Sequence, residues 1–197
     1  VSGEGGKRDQ ILDGAGRAFG QYGFRKTTLA DIVRESGVAR ATVYKYFPAK
    51  EEVFEAVVER EISDILRVVR AAVEGQDNTG DRLRAAVTAQ IDALRETVNV
   101  FRLTIEAFSD VIGRTHHHMG DMAEEMTGLY REILEEGVRA GEIAVDDVGT
   151  TALSILLAFK GVMMSTVTGE LHEQLPAVVD TLVATIWNGL RCREVHA

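Results

Sequence analysis

Apolar positions in this chain recur at helical spacing almost from end to end. Ile11, Leu12, Ala15, Ala18, Phe19 and Tyr22 mark a first helix over about 7–22, because residues three and four apart share one helix face. Gly23 follows as a left-handed stop, with Phe24 placed for the apolar contact of such an ending. Two short helices come next. One opens at Thr28-Leu29-Ala30-Asp31, a capping box with Asp in place of Glu, carries Leu29, Ile32 and Val33, and stops at Ser36-Gly37. The other begins near Ala39 and carries Val43, Tyr44 and Phe47 until Pro48 interrupts it. Two short helices joined by a tight turn with glycine predict a helix-turn-helix.

From Ala49 the pattern lengthens. Glu51 to about Val73 is apolar at Val53, Phe54, Val57, Val58, Ile62, Ile65, Leu66, Val69 and Val73, and Gly75 to Gly80 is the clearest polar loop. Further helices are expected at about 81–96, 99–113, 119–140, 147–168 and 176–191, with breaks near Val98-Asn99, Gly113-Arg114, Gly141-Glu142 and Gly169-Glu170. Pro176 suits a first helical turn. No alternating strand and no fixed-period repeat stands out. The expected fold is all-α with about nine helices: a three-helix domain over 1–50 carrying the helix-turn-helix, then a helical bundle over 51–197.

Composition trims the alternatives. Of 197 residues, 45% are hydrophobic and 27% charged, which excludes a disordered chain. The longest apolar stretch, Ala152 to Phe159, contains Ser154 and is closed by Lys160, far short of the roughly 18–20 residues that cross a bilayer. No basic segment followed by an apolar one opens the chain, and Val1 to Gly6 reads as a frayed tail. Cys192 is the only cysteine, so the expected setting is a reducing cytoplasm and not a membrane. Charge is uneven. Residues 1–50 hold nine cations (Lys7, Arg8, Arg17, Arg25, Lys26, Arg34, Arg40, Lys45, Lys50) and five acids, a net of +4 in a chain of net −9, leaving −13 on the remainder. A basic head on an acidic body points to a polyanion as the head's partner.

The stretch TTLADIVRESGVARATVYKYFPAKEEVFEAV, Thr27 to Val57, resembles the DNA-binding region of the TetR family of bacterial transcriptional regulators. With the preceding helix and Gly23-Phe24, the resemblance covers about the first quarter of the chain. It rests on the Thr-Thr-Leu opening, the Gly-Val turn, the Thr-Val-Tyr-x-Tyr-Phe segment and the Lys-Glu-Glu continuation, in order. By the family's pattern, Arg40, Ala41, Thr42, Tyr44 and Lys45 face the major groove of double-stranded DNA, and Tyr46 meets a phosphate. Thr27, Thr28 and Lys50 are expected to add backbone contacts. Small and polar groups at the start of a recognition helix let it approach base edges. Arg40 suits guanine, and Ala41 a thymine methyl. Val38, Val43 and Phe47 should pack inward. Two positions depart from the common pattern: Ala39 stands where Ser is frequent, and Ala49 where Ser or Thr often caps the next helix.

The resemblance implies a homodimer on a palindromic operator, with a small-molecule effector bound in the body. The broad apolar faces of the last two helices suit a partner copy, and Ile155, Phe159, Val179, Leu182, Val183, Ile186, Trp187 and Leu190 are the expected interface. The middle helices offer Phe101, Ile105, Phe108, Met119, Met122, Met126 and Tyr130, and with Met163 these are the candidate effector pocket; thioethers adapt to irregular ligands. Glu106 is read as solvent-facing.

His116-His117-His118 cannot share one ion, since neighbours on a helix diverge by about 100°, so no metal site and no redox role for Cys192 are expected. Nor is there a paired Glu-x-x-His motif, a Walker A sequence or a Gly-x-Ser-x-Gly elbow. The chain is expected to need no cofactor and to be no enzyme. The function expected is that of a regulator, a repressor released by its effector; the competing readings are a body that answers to a protein partner, and a helical metal or redox protein.

Overall fold

In the computed structural model, the backbone is described for residues 4–168 and 174–191, and side chains for 6–93, 120–162, 164–165 and 174–191. Seven helices occupy the described residues: α1 (Glu4–Tyr22), α2 (Leu29–Ser36), α3 (Arg40–Tyr46), α4 (Lys50–Glu74), α5 (Thr79–Arg139), α6 (Val148–Thr168) and α7 (Leu175–Leu190). The all-α expectation holds. Helix α1 begins at Glu4, so part of the expected frayed tail is helical.

The helix count differs because residues 79–139 are helical without interruption, through both breaks expected at Val98-Asn99 and Gly113-Arg114. A mid-helix glycine costs about 1 kcal/mol relative to Ala but does not by itself end a helix. Yet the ends of this run are neighbours. The Thr79 amide donates to Glu142 Oε2 at 2.8 Å, Arg82 pairs with Glu136, and the Tyr130 hydroxyl donates to Gln90 Oε1 at 3.0 Å. A straight helix would hold Thr79 and Glu136 roughly 85 Å apart. The run therefore doubles back between Ala93 and Gly120, and its two arms lie antiparallel. Three helices were expected where one helical run is found, and the reversal falls in the stretch that held both expected breaks.

Two compact units result: Val1–Ser63 with Thr97–Met119, and Asp64–Glu96 with Gly120–Ala197. In the first, Ile11, Leu12, Ala15, Ala18, Ile32, Val43, Val53, Phe54 and Val57 are fully buried. Phe19, Phe24 and Phe54 form an aromatic cluster, with the Phe19 and Phe54 rings edge to face at 5.2 Å, a favoured quadrupole arrangement.

The core of the second unit comes from four helices: Val69 and Val73 on α4, Leu83, Val87, Met126, Tyr130, Ile133 and Leu134 on the arms of α5, Ala152, Ile155 and Phe159 on α6, and Leu175, Val179 and Val183 on α7. Pro176 does occupy the first turn of α7. Beyond Gly141 the chain returns to the end of α7, where the Ala144 amide donates to the Leu190 carbonyl at 3.0 Å. Among the described residues no helix is long and apolar enough to cross a membrane.

Candidate nucleic-acid interface

The helix-turn-helix is held by close backbone approach. A Cβ at Gly14 would overlap the backbone of Ser36, so only glycine lets α1 cross this near to the end of α2. Arg17 reinforces the crossing by donating to the Glu35 carbonyl at 2.6 Å. At the start of α2 the expected capping box is present: the Asp31 amide donates to Thr28 Oγ1 at 3.3 Å, and the Thr28 amide donates to Asp31 Oδ2 at 2.9 Å. Hydrogen bonds from the Thr28 hydroxyl and amide hold the Asp31 carboxyl below its ordinary range. Gly37 ends α2 at φ 67, the left-handed backbone that makes the tight turn.

Helix α3 sorts its side chains sharply. Val43 is fully buried, and Val38 and Phe47 flank it in the core. Arg40, Ala41, Tyr44 and Lys45 are exposed, with Thr42 and Tyr46 half-buried beside them. Arg40 and Tyr44 associate on this surface: the guanidinium lies 5.3 Å from the ring centroid. Such a contact is worth about 0.5–1 kcal/mol when exposed, small enough to exchange for another partner. Ala39 caps α3 with no side-chain hydrogen bond. The outward group of cations and hydroxyls suits a surface that accepts hydrogen bonds and carries negative charge, and a phosphate-lined groove is one.

Three residues expected to touch phosphates are engaged elsewhere. Thr27 is buried, and its hydroxyl donates to the Gly23 carbonyl at 2.7 Å; that side chain is not available to DNA. The Thr28 hydroxyl donates to Asp31 Oδ2 at 2.6 Å within the capping box. Lys50 donates to the carbonyls of Phe24, Arg25 and Thr27 at 3.0, 3.3 and 3.1 Å. In their place the structure exposes Arg25 and Lys26 just ahead of α2, and Arg8, whose guanidinium lies 5.7 Å from the Phe47 ring centroid. In the sequence these three were visible only as charge.

The comparisons decide what this head belongs to. Residues 11–57 match the model for "Bacterial regulatory proteins, tetR family", and residues 76–164 match "Tetracyclin repressor-like, C-terminal domain". The chain belongs to the TetR family. It is a DNA-binding transcriptional regulator of a non-enzymatic kind. One similar protein is the transcriptional repressor KstR2 of Rhodococcus jostii, 26% identical over 163 residues, which span 81% of this chain and 76% of that one. Another is the transcriptional activator FasR of Mycolicibacterium smegmatis, 30% identical over 100 residues, 51% of this chain and 46% of that one. Among solved structures, FadR of Bacillus subtilis in complex with stearoyl-CoA shares the fold at a TM-score of 0.72 and 18% identity, covering 92% of this chain and 98% of that one.

In this TetR-family body, Met122, Met126 and Tyr130 of the expected effector set are buried together in the second unit's core. The side chains of Phe101, Ile105, Phe108, Met119 and Met163 lie outside the described residues, as do those of Glu106 and His116–His118, and so does Cys192. Gln90, missed in the sequence, is buried against the Tyr130 hydroxyl; a polar residue on an apolar arm was its only signal. Burial also drives the Tyr130 pKa upward, so the phenol stays neutral. A cleft of about 140 Å³ opens beside Thr88, Ile91, Asp92, Leu175, Pro176, Val179 and Asp180, and the sequence reading placed none of these in the effector set. Among the described residues no group of three His, Cys, Asp or Glu could hold a metal ion.

The expected interface divides. Ile155, Phe159, Val179 and Val183 are buried within the chain itself and contribute to its own core. Leu182, Ile186, Trp187 and Leu190 are half-buried. Of these, Trp187 packs over Gly80, where an added Cβ would sit 3.0 Å from the ring. Among the described residues of α6, the large apolar side chains left in water are Leu153, Leu157 and Met164, 47%, 56% and 45% exposed.

Proposed function

We propose that this regulator is a cytoplasmic homodimeric repressor, with residues 1–50 reading a palindromic operator and residues 51–197 binding an effector and a second copy. The observation that carries the reading is the split of α3, with Val43 and Phe47 in the core and Arg40, Ala41, Tyr44 and Lys45 outside. Arg40, Ala41, Thr42, Tyr44 and Lys45 read base edges, while Tyr46, Arg25 and Lys26 meet phosphates. One seven-residue helix reads too little sequence alone, and a two-fold dimer doubles it over half-sites about one helical turn apart or a multiple.

Leu153, Leu157 and Met164 support the dimer. Spacings of four and seven residues place them on one stripe of α6, and an apolar stripe in water favours burial against a second copy. Leu182, Ile186 and Leu190 on α7 are half-buried and offer further apolar area. The effector is apolar-tailed: the interior around Met122 and Met126 is apolar, with Gln90 and Tyr130 as its buried polar pair, and the acyl chain of the stearoyl-CoA in the FadR structure supports that class. An effector that prefers the form whose half-site spacing misfits DNA lowers operator affinity; equal affinity for both forms would change nothing.

KstR2's role as a repressor supports the negative sign, and FasR's as an activator supplies the second reading. A reporter on the chain's own target promoter separates them: expression rises on deletion of a repressor and falls on deletion of an activator. For the head, Thr42→Ala with Lys45→Ala should weaken binding to a selected duplex by roughly tenfold or more, with sedimentation still showing a dimer. Leu157→Glu should yield folded monomer; an undisturbed dimer would remove α6 from the interface.

A further inference from the structure

Lys50 opens α4, and its ammonium lies among three main-chain carbonyls of a single loop, those of Phe24, Arg25 and Thr27, at 3.0, 3.3 and 3.1 Å. It also sits 4.6 Å from the Phe24 ring centroid, and that ring is packed against Phe54 at 4.7 Å. An ammonium carries three donors, and each has a carbonyl here. Three carbonyl oxygens turned toward one point repel each other unless a cation lies between them, so the loop's conformation depends on this lysine. The loop runs directly into Thr28, which caps α2, and α2 continues through Gly37 to α3.

We propose that Lys50 is a positioning residue for DNA binding: it ties the first residue of α4 to the Phe24–Thr27 loop, so that the helix-turn-helix is presented in one orientation, and it does not contact a phosphate. The inference rests on the DNA-binding reading of α3 and adds to it the part that aims the helix pair. Lys50→Met keeps the unbranched stem and removes the donors. Lys50→Arg keeps the charge, but a planar fork does not match three carbonyls converging on one point.

Both variants are made in the full chain and tested in two ways. The first is amide hydrogen exchange of the free protein. Both should speed exchange at Thr27, Asp31 and Ile32, whose amides donate to the Gly23 and Thr28 carbonyls, by about tenfold, the scale of a lost charged hydrogen bond. The second is affinity across a salt series for a duplex selected from random DNA by the unmodified chain. Both variants should bind about tenfold more weakly, with the slope of log affinity against log salt unchanged.

A phosphate contact predicts the opposite pattern: unaltered exchange, a slope shallower by about 0.9 per lysine, and recovery in Lys50→Arg. That result overturns the proposal, as does a lowered melting temperature with full duplex affinity, which would make Lys50 structural only. Should the unmodified chain select no duplex, the DNA reading falls, and the positioning role with it. Exchange still judges the loop tie separately, and unaltered exchange refutes it.

Discussion

In both regions of this molecule folding takes up residues that function was expected to use, but by different forces. In the head the residues are polar. The Thr27 hydroxyl donates to the Gly23 carbonyl four residues back, and the Thr28 hydroxyl to Asp31 Oδ2 three residues on. Lys50 donates to the carbonyls of Phe24, Arg25 and Thr27, 23 to 26 residues back. In the body they are apolar: Ile155, Phe159, Val179 and Val183 enter a core drawn from four helices. Hydrogen bonds are directional and saturable, so a hydroxyl donated to a carbonyl is no longer on offer. Apolar burial is non-directional and scales with area, so one face of α6 can fill the core while Leu153, Leu157 and Met164, on another, stay in water. What each region leaves exposed after folding is the better guide to what it can bind: Arg40, Tyr44 and Lys45 on the head, an apolar stripe on the body.

The contrast is tested most severely at Gly14. Valine there would drive its side chain into the Ser36 backbone, which has no rotamer to yield. Overpacking of this kind costs about 3 kcal/mol. Thermal unfolding should show the helix-turn-helix loosened and duplex binding lost, while Trp187 fluorescence, reporting on the body, keeps its transition. A concerted shift of both would mean that the two regions do not fold as separately as their local hydrogen bonding suggests.

A smaller effect belongs to the body. Tyr130→Phe deprives buried Gln90 Oε1 of the tyrosine donor, at about 1–3 kcal/mol. Denaturant melts should register the loss in the second unit with duplex affinity preserved. Because Tyr130 is fully buried and neutral, the variant's deficit should be the same at pH 7 and pH 9.

The smallest effect is one that the regions share. The Asp31 carboxylate accepts from the Thr28 amide at 2.9 Å in the capping box of α2, and Asp147 accepts from the Thr150 amide at 3.0 Å at the start of α6; hydrogen bonds from Thr28 and Thr150 respectively lower both carboxyl pKa values. A depressed folded-state pKa means the cap is fully effective above the unfolded value of about 3.9 and fails as pH falls through the folded one. Amide protection at Thr28 and at Thr150, whose N–H groups donate to these two carboxylates, should therefore fall together below about pH 4. Asparagine at either position should flatten that pH response for its own helix alone. Acceleration at only one of the two helices in the unmodified chain would show that the head and body differ even in how their helices begin.

Much of this was legible in the linear order of residues. The helix-turn-helix, its Gly37 turn, the Thr28–Asp31 box and the inward Val43 and Phe47 follow from spacing, because capping and turn chemistry act over three or four residues. The reversal of α5 was harder. Expected breaks at Val98-Asn99 and Gly113-Arg114 placed it near the right region, but propensity alone does not say whether a chain bends as helix or as loop.

By itself the sequence determined the helical class, the basic head on an acidic body and the order of the recognition segment, since each depends on local periodicity or on counting charge. Only the tertiary structure decided that the Lys50 ammonium sits among three carbonyls up to 26 residues away, that Gln90 meets Tyr130 across 40, and that Leu157 faces water while Phe159 does not. Those outcomes depend on which distant surfaces meet. A side chain's chemistry fixes the partners it can accept, and the packing of the whole chain fixes which of them it is given.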